Sequence, residues 1–561
     1  MINNLLSGDI INLFLYVIHI TLPFIAFYIL YNCIISLRDH RRPKQPLITL
    51  VNLANGDEIP ILYWENSIGR VKSCDIILTD PTVSRNHAVL YRREKGWIIK
   101  DTGSHGGTEV NNVRIRGDKV LEIGDVITFG CTAMSLQKAE INNIKSESWF
   151  FKSNLSKNAA SPLTLLFFTT IFQAIGFLEL ALSQGEFNYE YFIPFAMLNL
   201  INYSFFIVTK TILKRTTFEI ENVVLFLCGI GVMIISGVDL NAAYTQIITM
   251  VIGIVFYCFM IAFLRDPDIV MKWRFKIFLF AVALLALNLL IGTTLNGSKN
   301  WIMIGPVSIQ PSEFVKIALV LVGTSTLVRL QTAKNLTGFI IFSGICIGAL
   351  FLMGDFGTAC IFFLTFIVIS FMRSGDLRTI ALIIAAAVFA VFIILQFKPY
   401  IAERFASWGH AFEYVETTGY QPANVLTYVS SGGLFGFGLG KGNLADIFAS
   451  YSDLVFGMIC EELGILLAIV VVLIFPALAF YSRALSEISR CTLYSIGACA
   501  VGGMFVFQAA LNIFGATDIL PITGVTLPFV SAGGSSMISS WALLAFIKAA
   551  DERTYAIHTI K

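Results

Sequence analysis

The sequence predicts a multi-span α-helical membrane protein of about thirteen helices, with a β-sandwich inserted on the cytoplasmic side after the first span. Three observations predict it. The 561 residues are 56% hydrophobic and only 14% charged, where soluble domains run nearer a quarter charged. Apolar runs recur along the chain, each close to the ~20 residues that carry a helix across a bilayer. Between the first run and the rest lie about ninety residues of another kind, short alternating stretches broken by Gly, Asn, Asp and Pro, the pattern of strands and turns.

The elements follow in order. Residues 10–37 form one apolar run of spanning length without a basic leader or a small-residue cleavage site, so they read as a retained anchor. The cluster Arg38-Asp39-His40-Arg41-Arg42 behind it marks the cytoplasmic side and places the N-terminus outside. Residues 45–138 are the inserted antiparallel sandwich, and 139–161 are a polar linker. Two spans occupy 162–210, centred near 172 and 200. Ten more occupy 221–550, centred near 230, 254, 285, 321, 345, 365, 388, 467, 503 and 537. Counting from inside, every second loop is basic: Lys210, Lys214 and Arg215, then Arg265, Lys272, Arg274 and Lys276, then Arg329 and Lys334, Arg373 and Arg378, Arg483 and Arg490. Lys548, Arg553 and Lys561 end the chain. The opposite set holds only Lys299, Lys398, Arg404 and Lys441. Both signals give the same orientation, with the loops 296–312 and 397–452 outside and the C-terminus cytoplasmic.

Composition excludes several classes. A net charge of +2 carries no nucleic-acid signal. The ten Cys stand singly with no CxxC pair, and the six His lack metal-ligand spacing, so neither a disulfide framework nor a zinc site is expected.

Charge at membrane depth needs a reason. It costs roughly 2.5–3.5 kcal/mol per residue at mid-bilayer. The segment Asn296–Ile317 brings Lys299, Glu313 and Lys316 to the mouth of an apolar helix, and Glu313 and Lys316, spaced i, i+3, share one face. Taken alone they are equally a structural ion pair or part of a site. Asp355 and Asp453 collect at the same ends of other spans, with Glu461 and Glu462 two turns deeper on the Asp453 helix. Gly354, Gly357, Pro311, Pro521, Pro528, Gly533 and Gly534 break helices beside them, which membranes tolerate where backbone lines a protein cavity. A wet acidic cavity opening outward is the expectation.

In the insert, Gly69-Arg70, Cys74-Asp75-Ile76, Ser84-Arg85-Asn86-His87, Gly107-Thr108-Glu109-Val110-Asn111-Asn112 and Gly124-Asp125 with Ile127 and Gly130 stand in order. Together they resemble the forkhead-associated (FHA) domain. The resemblance implies binding of a phosphothreonine protein, one phosphorylated by a Ser/Thr kinase, through Arg70, Ser84, Arg85, Thr108 and Asn111. Two arginines and a hydroxyl suit a phosphate. His87 is expected to brace the loop from behind. Gly106 stands where the family usually has Asn.

Four blocks of the membrane region carry a second resemblance: NGSKNWIMIGPVSIQPSEFVKI at 296–317, Gly354-Asp355-Phe356-Gly357-Thr358-Ala359, Tyr451-Ser452-Asp453-Leu454-Val455-Phe456 with Glu461-Glu462-Leu463-Gly464, and the run from Leu520 to Ser536. They resemble the FtsW/RodA/SpoVE (SEDS) peptidoglycan glycosyltransferases. The resemblance implies polymerisation of lipid II on the outer face of a bacterial cell membrane, for wall growth or division, beside a class B penicillin-binding protein (transpeptidase). It implies Asp453 as the catalytic carboxylate, with a divalent cation, magnesium or manganese, as the cofactor it would bind. It lines the substrate cavity with Glu313, Lys316, Lys299, Asp355, Gln421, Glu461 and Glu462. Asp453 also suits a helix N-cap. Asn300 replaces the family's usual Arg, with Lys299 beside it. The alternatives are a weakened scaffold that recruits the transpeptidase and a flippase for the lipid-linked precursor.

Overall fold

The structure is a computed structural model. It describes residues 8–38, 46–71, 74–93, 96–139, 160–183, 187–212, 217–295, 298–305, 307–327, 333–374, 381, 384–385, 408–417, 419–489 and 491–551. The chain divides into two units. The first combines Met1–His40, Leu155–Arg483 and Ile496–Ala549; the second combines Arg41–Asn154, Ala484–Ser495 and Ala550–Lys561.

The first unit is helical. In chain order the helices are α1 (Gly8–Arg38), α2 (Pro162–Leu182), α3 (Phe192–Ile207), α4 (Glu219–Val238), α5 (Leu240–Leu264), α6 (Pro267–Ile291), α7 (Pro311–Leu327), α8 (Ala333–Met353), α9 (Phe356–Ser374), α10 (Tyr420–Gly432), α11 (Val455–Met458), α12 (Gly464–Ile488), α13 (Thr492–Ala516) and α14 (Gly534–Ala550), of which the last turn of α12, the first of α13 and the final residue of α14 belong to the second unit. Twelve of the thirteen expected spans fall on these helices. The run near 388 lies outside the described residues, as do 140–159 of the linker and much of the long loop before 408. Eight helices among the described residues are long and apolar enough to cross a membrane, and α11 runs on into α12 as one of them.

Local chemistry sets the helix starts. Ser161 accepts the Thr164 N–H at 3.2 Å, and Asp266 accepts the Asp268 N–H at 2.9 Å, each with Pro in the first turn. There the missing proline donor costs nothing. Past its first turn, which holds Glu219, Glu221 and Asn222, α4 is apolar all round, and it is buried almost throughout, as a helix enclosed by others must be.

The loop expected at 296–312 is largely a small antiparallel sheet, β12 (Thr293–Leu295), β13 (Ser298–Ile304) and β14 (Val307–Ile309), in that order. Gly305, at φ +62°, makes the turn between β13 and β14, a conformation that suits glycine. β13 reads Ser-Lys-Asn-Trp-Ile-Met-Ile, and a run this short hides its strand period inside an apolar neighbourhood.

The second unit contains the sandwich: β1 (Ile48–Asn52), β2 (Glu58–Ile61), β3 (Glu65–Gly69), β4 (Ile76–Ile77), β5 (Ala88–Arg93), β6 (Gly96–Asp101), β7 (Thr108–Val110), β8 (Val113–Arg114), β9 (Asp118–Leu121), β10 (Val126–Phe129) and β11 (Thr132–Lys138). One sheet runs β2-β1-β11-β10-β7-β8 and the other β4-β3-β5-β6-β9. The pairing is antiparallel except for β3 with β4, which is parallel, a departure from the all-antiparallel expectation. Inward residues of both sheets, among them Ile68, Leu90, Ile99, Ile127, Phe129 and Met134, form one core, as the two-residue period requires.

Candidate functional site

In the membrane unit, polar side chains from α7, α13, α14 and the turn before α9 meet in one network. Lys316 is 1% exposed. Its Nζ donates to Glu313 Oε1 at 2.7 Å and to Gln508 Oε1 at 3.2 Å. Ser539 donates to the other Glu313 oxygen at 2.6 Å. Gln508 donates onward to the Thr526 carbonyl at 3.0 Å, and the Thr526 and Ser536 hydroxyls lie 2.7 Å apart. Asp355 is buried and opens α9: one oxygen accepts the Thr358 N–H at 3.1 Å, and the other accepts from Gln310 at 3.4 Å. The Gln310 N–H in turn donates to Ser535 at 3.1 Å. Burial corrects the expectation of an open cavity lined by Glu313, Lys316 and Asp355. Their charged atoms face each other and the neighbouring helices, because a charge this deep is stable only when paired and hydrogen-bonded.

Asp453 stands differently. It is partly exposed, in a segment sewn to the last motif. The Asp453 carbonyl accepts from Asn512 at 2.9 Å, and the same amide reaches the Val525 carbonyl at 2.8 Å. Ser531 Oγ donates to the Ser452 carbonyl at 2.5 Å, and the Ala532 N–H donates to the Tyr451 carbonyl at 2.9 Å. Gln246 of α5 holds the Ser531 carbonyl from the far side at 2.9 Å. Gly524, at φ +69°, neighbours this carboxylate: an added Cβ would make an ordinary contact with Asp453 Oδ2 at 3.6 Å. Ala449 takes φ +61°, and its carbonyl accepts the N–H groups of Ser452, Asp453 and Leu454 at 3.2, 3.0 and 3.3 Å. A left-handed alanine held by three bonds is backbone strain of the kind that gathers at functional sites. The N-cap position of α11 is Leu454, one residue past Asp453.

The remaining sequence-selected residues lie apart from the ion-pair network. Lys299 Nζ donates to the carbonyls of Leu289 and Leu290 at 2.6 and 3.3 Å. It therefore caps the C-terminus of α6, where a cation is favoured, and does not replace the missing arginine. Gln421 ties the start of α10 to the Phe448 carbonyl at 3.1 Å. Glu461 and Glu462 are buried in a π-helical turn, Ile459–Leu463, between α11 and α12. Glu461 accepts the N–H groups of Asn443 and Leu444 at 2.8 and 3.0 Å, and Glu462 accepts that of Gly440 at 3.0 Å. Both carboxylates hold the loop between α10 and α11 rather than line an opening.

Sequence reasoning missed Gln508, Asn512, Ser539 and Gln246. The signal was present: Gln508 and Asn512, at i, i+4, are amides on one face of an apolar helix. A second buried ion pair was also missed. Lys548, counted from sequence as a cytoplasmic loop charge, bonds Glu221 at 2.9 Å and the Thr217 carbonyl at 2.8 Å, and Tyr257 donates to Glu221 at 2.7 Å.

In the sandwich, Arg70 and Arg85 are exposed on neighbouring loops, linked where the Arg70 N–H meets the Ser84 carbonyl at 3.1 Å. Ser84 Oγ accepts the His105 N–H at 2.9 Å. Buried His87 accepts the Ser84 N–H at Nδ1 (3.1 Å), and its Nε2, 3.0 Å from the Gly107 carbonyl, is thereby the donor. It braces both loops from inside. Gly69 has no room for a side chain, since a Cβ would lie 2.2 Å from the Arg85 carbonyl oxygen. Thr108 is corrected: it is fully buried and its hydroxyl donates to Asp101 at 2.6 Å, so it supports the site from below. Burial pushes the Asp101 carboxyl up, but bonds from Ser104, Thr108 and the Gly103 N–H outweigh it and hold the group below its ordinary value. Asn111, at φ +51°, spends its amide on Asp125 (2.8 Å) and the Val126 N–H (3.0 Å).

Two family models match these regions. The FtsW/RodA/SpoVE model, described as cell cycle protein, matches residues 222–556, more than half of the chain. The chain belongs to the FtsW/RodA/SpoVE family. Residues 66–130 match the FHA domain. Among curated relatives, a probable peptidoglycan glycosyltransferase FtsW of Buchnera aphidicola subsp. Acyrthosiphon pisum is 31% identical over 316 residues, covering 54% of this chain and 79% of that protein. Its Bacillus subtilis counterpart is 30% identical over 360 residues, covering 59% and 89%. A chain of a solved peptidoglycan synthase complex that coordinates polymerization and crosslinking superposes with a TM-score of 0.52 at 23% identity, covering 60% of this chain and 98% of that one. The fold of this multi-span membrane protein is therefore that of the family.

Proposed function

We propose that this protein is a peptidoglycan glycosyltransferase that polymerises lipid II on the outer face of the cell membrane, and that its FHA-type domain places it under phosphothreonine control. Two relatives carry that enzymatic name. The observation that carries the reading is the state of Asp453. Of the carboxylates the sequence singled out in the membrane region, it is partly exposed while Glu313, Asp355, Glu461 and Glu462 are buried. Its backbone is held on both sides, so the carboxylate is presented in a fixed place, as a reacting base requires.

The chemistry is a displacement at an anomeric carbon. The acceptor sugar hydroxyl forms the new C–O bond, the bond to the polyprenyl diphosphate breaks, and the diphosphate departs with the bonding pair. Asp453 takes the hydroxyl proton. The buried Glu313–Lys316–Gln508 network holds α7 and α13 under the Asp453 segment, so its part is positioning. Among the described residues no group of three or more His, Cys, Asp or Glu side chains could hold a metal ion. One carboxylate does not make a resident magnesium or manganese site, though magnesium bound mainly by substrate phosphates needs little more. No step is routed through it. In the sandwich, Arg70, Arg85 and Ser84 would contact the phosphate. A transpeptidase partner is part of the same proposal, supported by the likeness to a chain of a synthase complex that coordinates polymerization and crosslinking.

Full-length protein should convert labelled lipid II into glycan chains, and Asp453→Asn should abolish this while unfolding at the wild-type temperature. Equal product from the variant removes Asp453 from the reaction, whereas no product from either protein overturns the enzymatic reading and favours the scaffold.

A further inference from the structure

The family match begins at residue 222, so α1 and α2 lie outside it. These helices carry a buried pair, His19 in the N-terminal half of α1 and Glu179 in the last turn of α2. His19 of α1 and Glu179 of α2 are 3% and 2% exposed. His19 Nδ1 lies 2.9 Å from Glu179 Oε1 and 3.0 Å from Oε2. Each residue also grips the loop between α10 and α11. His19 Nε2 lies 2.5 Å from the Phe435 carbonyl, and the Leu439 N–H donates to Glu179 Oε1 at 3.3 Å.

That loop is tied in turn to the π turn beyond Asp453. The N–H groups of Phe437 and Gly438 donate to the carbonyls of Glu461 and Glu462 at 3.0 and 2.9 Å, and Gly440 and Asn443 reach the two side chains. Gly436 and Gly464, at φ +91° and +80°, sit within contact of the facing backbone. Lys441 lies near enough to act on His19 electrostatically. An unbroken set of bonds thus runs from α1 through α2 and the 435–443 loop to the turn that follows the Asp453 segment. A histidine buried at membrane depth among apolar residues is costly unless it is engaged.

We infer that His19 and Glu179 are positioning residues, a latch by which the two N-terminal helices hold the outer loop and, through it, the Asp453 segment. α1 is also the helix that precedes the FHA-type domain in the chain, so displacement of α1 has a bonded route to the outer loop. The effect on catalysis rests on the glycosyltransferase reading; the latch itself does not.

The test uses the full chain in nanodiscs, with His19→Ala, Glu179→Gln and the double variant. Hydrogen–deuterium exchange is followed over residues 433–444, with 492–516 as reference. Each single variant should speed exchange of the loop about tenfold or more, the change expected from losing a charge-assisted buried bond. The double variant should be no faster than the singles, and the reference should not move. Turnover of labelled lipid II should fall in kcat at unchanged KM. Glu179→Gln keeps the side chain's size and decides the matter if His19→Ala fails to fold. Unchanged loop exchange overturns the latch, as does faster exchange of the reference, which would mean general loosening. A loosened loop with full kcat overturns the positioning role. A wild type that makes no polymer defeats the enzymatic reading and leaves the exchange result to decide the latch.

Discussion

Replacing Lys316 by Met isolates what the buried ion pair does. The ammonium makes two bonds, to Glu313 and Gln508, and is 1% exposed. Met fills most of the same volume, so the change removes charge and donors rather than packing. Glu313 keeps its bond from Ser539 but becomes a buried carboxylate without a cation, and the Gln508 oxygen loses its donor. Breaking a buried pair by removing one partner costs about 3–5 kcal/mol. Replacing both partners, Lys316→Met with Glu313→Gln, should recover most of that, because no uncompensated charge remains. The assay is thermal unfolding of purified protein in detergent, read by loss of the monodisperse peak, with lipid II polymerisation alongside. The single variant should unfold well below wild type and lose activity in proportion to folded protein. The double variant should approach wild type in stability. A single variant as stable as wild type, or a double variant no better than the single, refutes the view that the pair is a structural strut. A stable double variant with no activity would move the Glu313–Lys316 pair into the reaction itself.

Three further outcomes follow from the same geometry. Lys299→Met should lower stability by about 0.3–1 kcal/mol, the worth of a cation at a helix C-terminus, and leave polymerisation at the wild-type rate; lost activity in folded protein would return Lys299 to the site. In the isolated sandwich, Thr108→Val should cost about 1 kcal/mol in urea unfolding and leave phosphothreonine-peptide affinity unchanged by calorimetry, whereas Arg70→Ala and Arg85→Ala should each remove binding and keep stability. Asp101 has its pKa lowered by folding, so its stabilising contribution is fully present above the unfolded value near pH 4 and is lost as pH falls through the folded one; Asp101→Asn should flatten the acid limb of the sandwich's stability curve, and an unchanged limb would refute this.

The structure departs from the sequence reading most where a side chain's partner is distant in the chain. Glu313 and Lys316 were legible as a pair because three residues separate them on a helix. Their neighbours Gln508 and Ser539 were not, since nothing in an apolar helix announces which amide or hydroxyl faces a charge some two hundred residues earlier. Lys299 looked like part of the site because it stands beside the expected arginine position. Strand β13 instead turns it back onto α6. Thr108 occupied the right place in a motif, but in a strand neighbouring residues face opposite sides, and which side is inside depends on the sheet it joins.

The sequence by itself determined the membrane class, the helical spans on which twelve of thirteen centres fell, the inserted sandwich and the segments that carry chemistry. Each follows from hydropathy, loop charge or short-range spacing, which are properties of neighbouring residues. Only the tertiary structure decided which charges are buried against each other and which carboxylate stays partly exposed. Burial and hydrogen-bond pairing depend on helices that meet across hundreds of residues. Asp453 is distinguished from Glu313, Asp355, Glu461 and Glu462 by what surrounds it in space, and His19 reaches Glu179 only because two helices more than a hundred residues apart in the chain pack side by side.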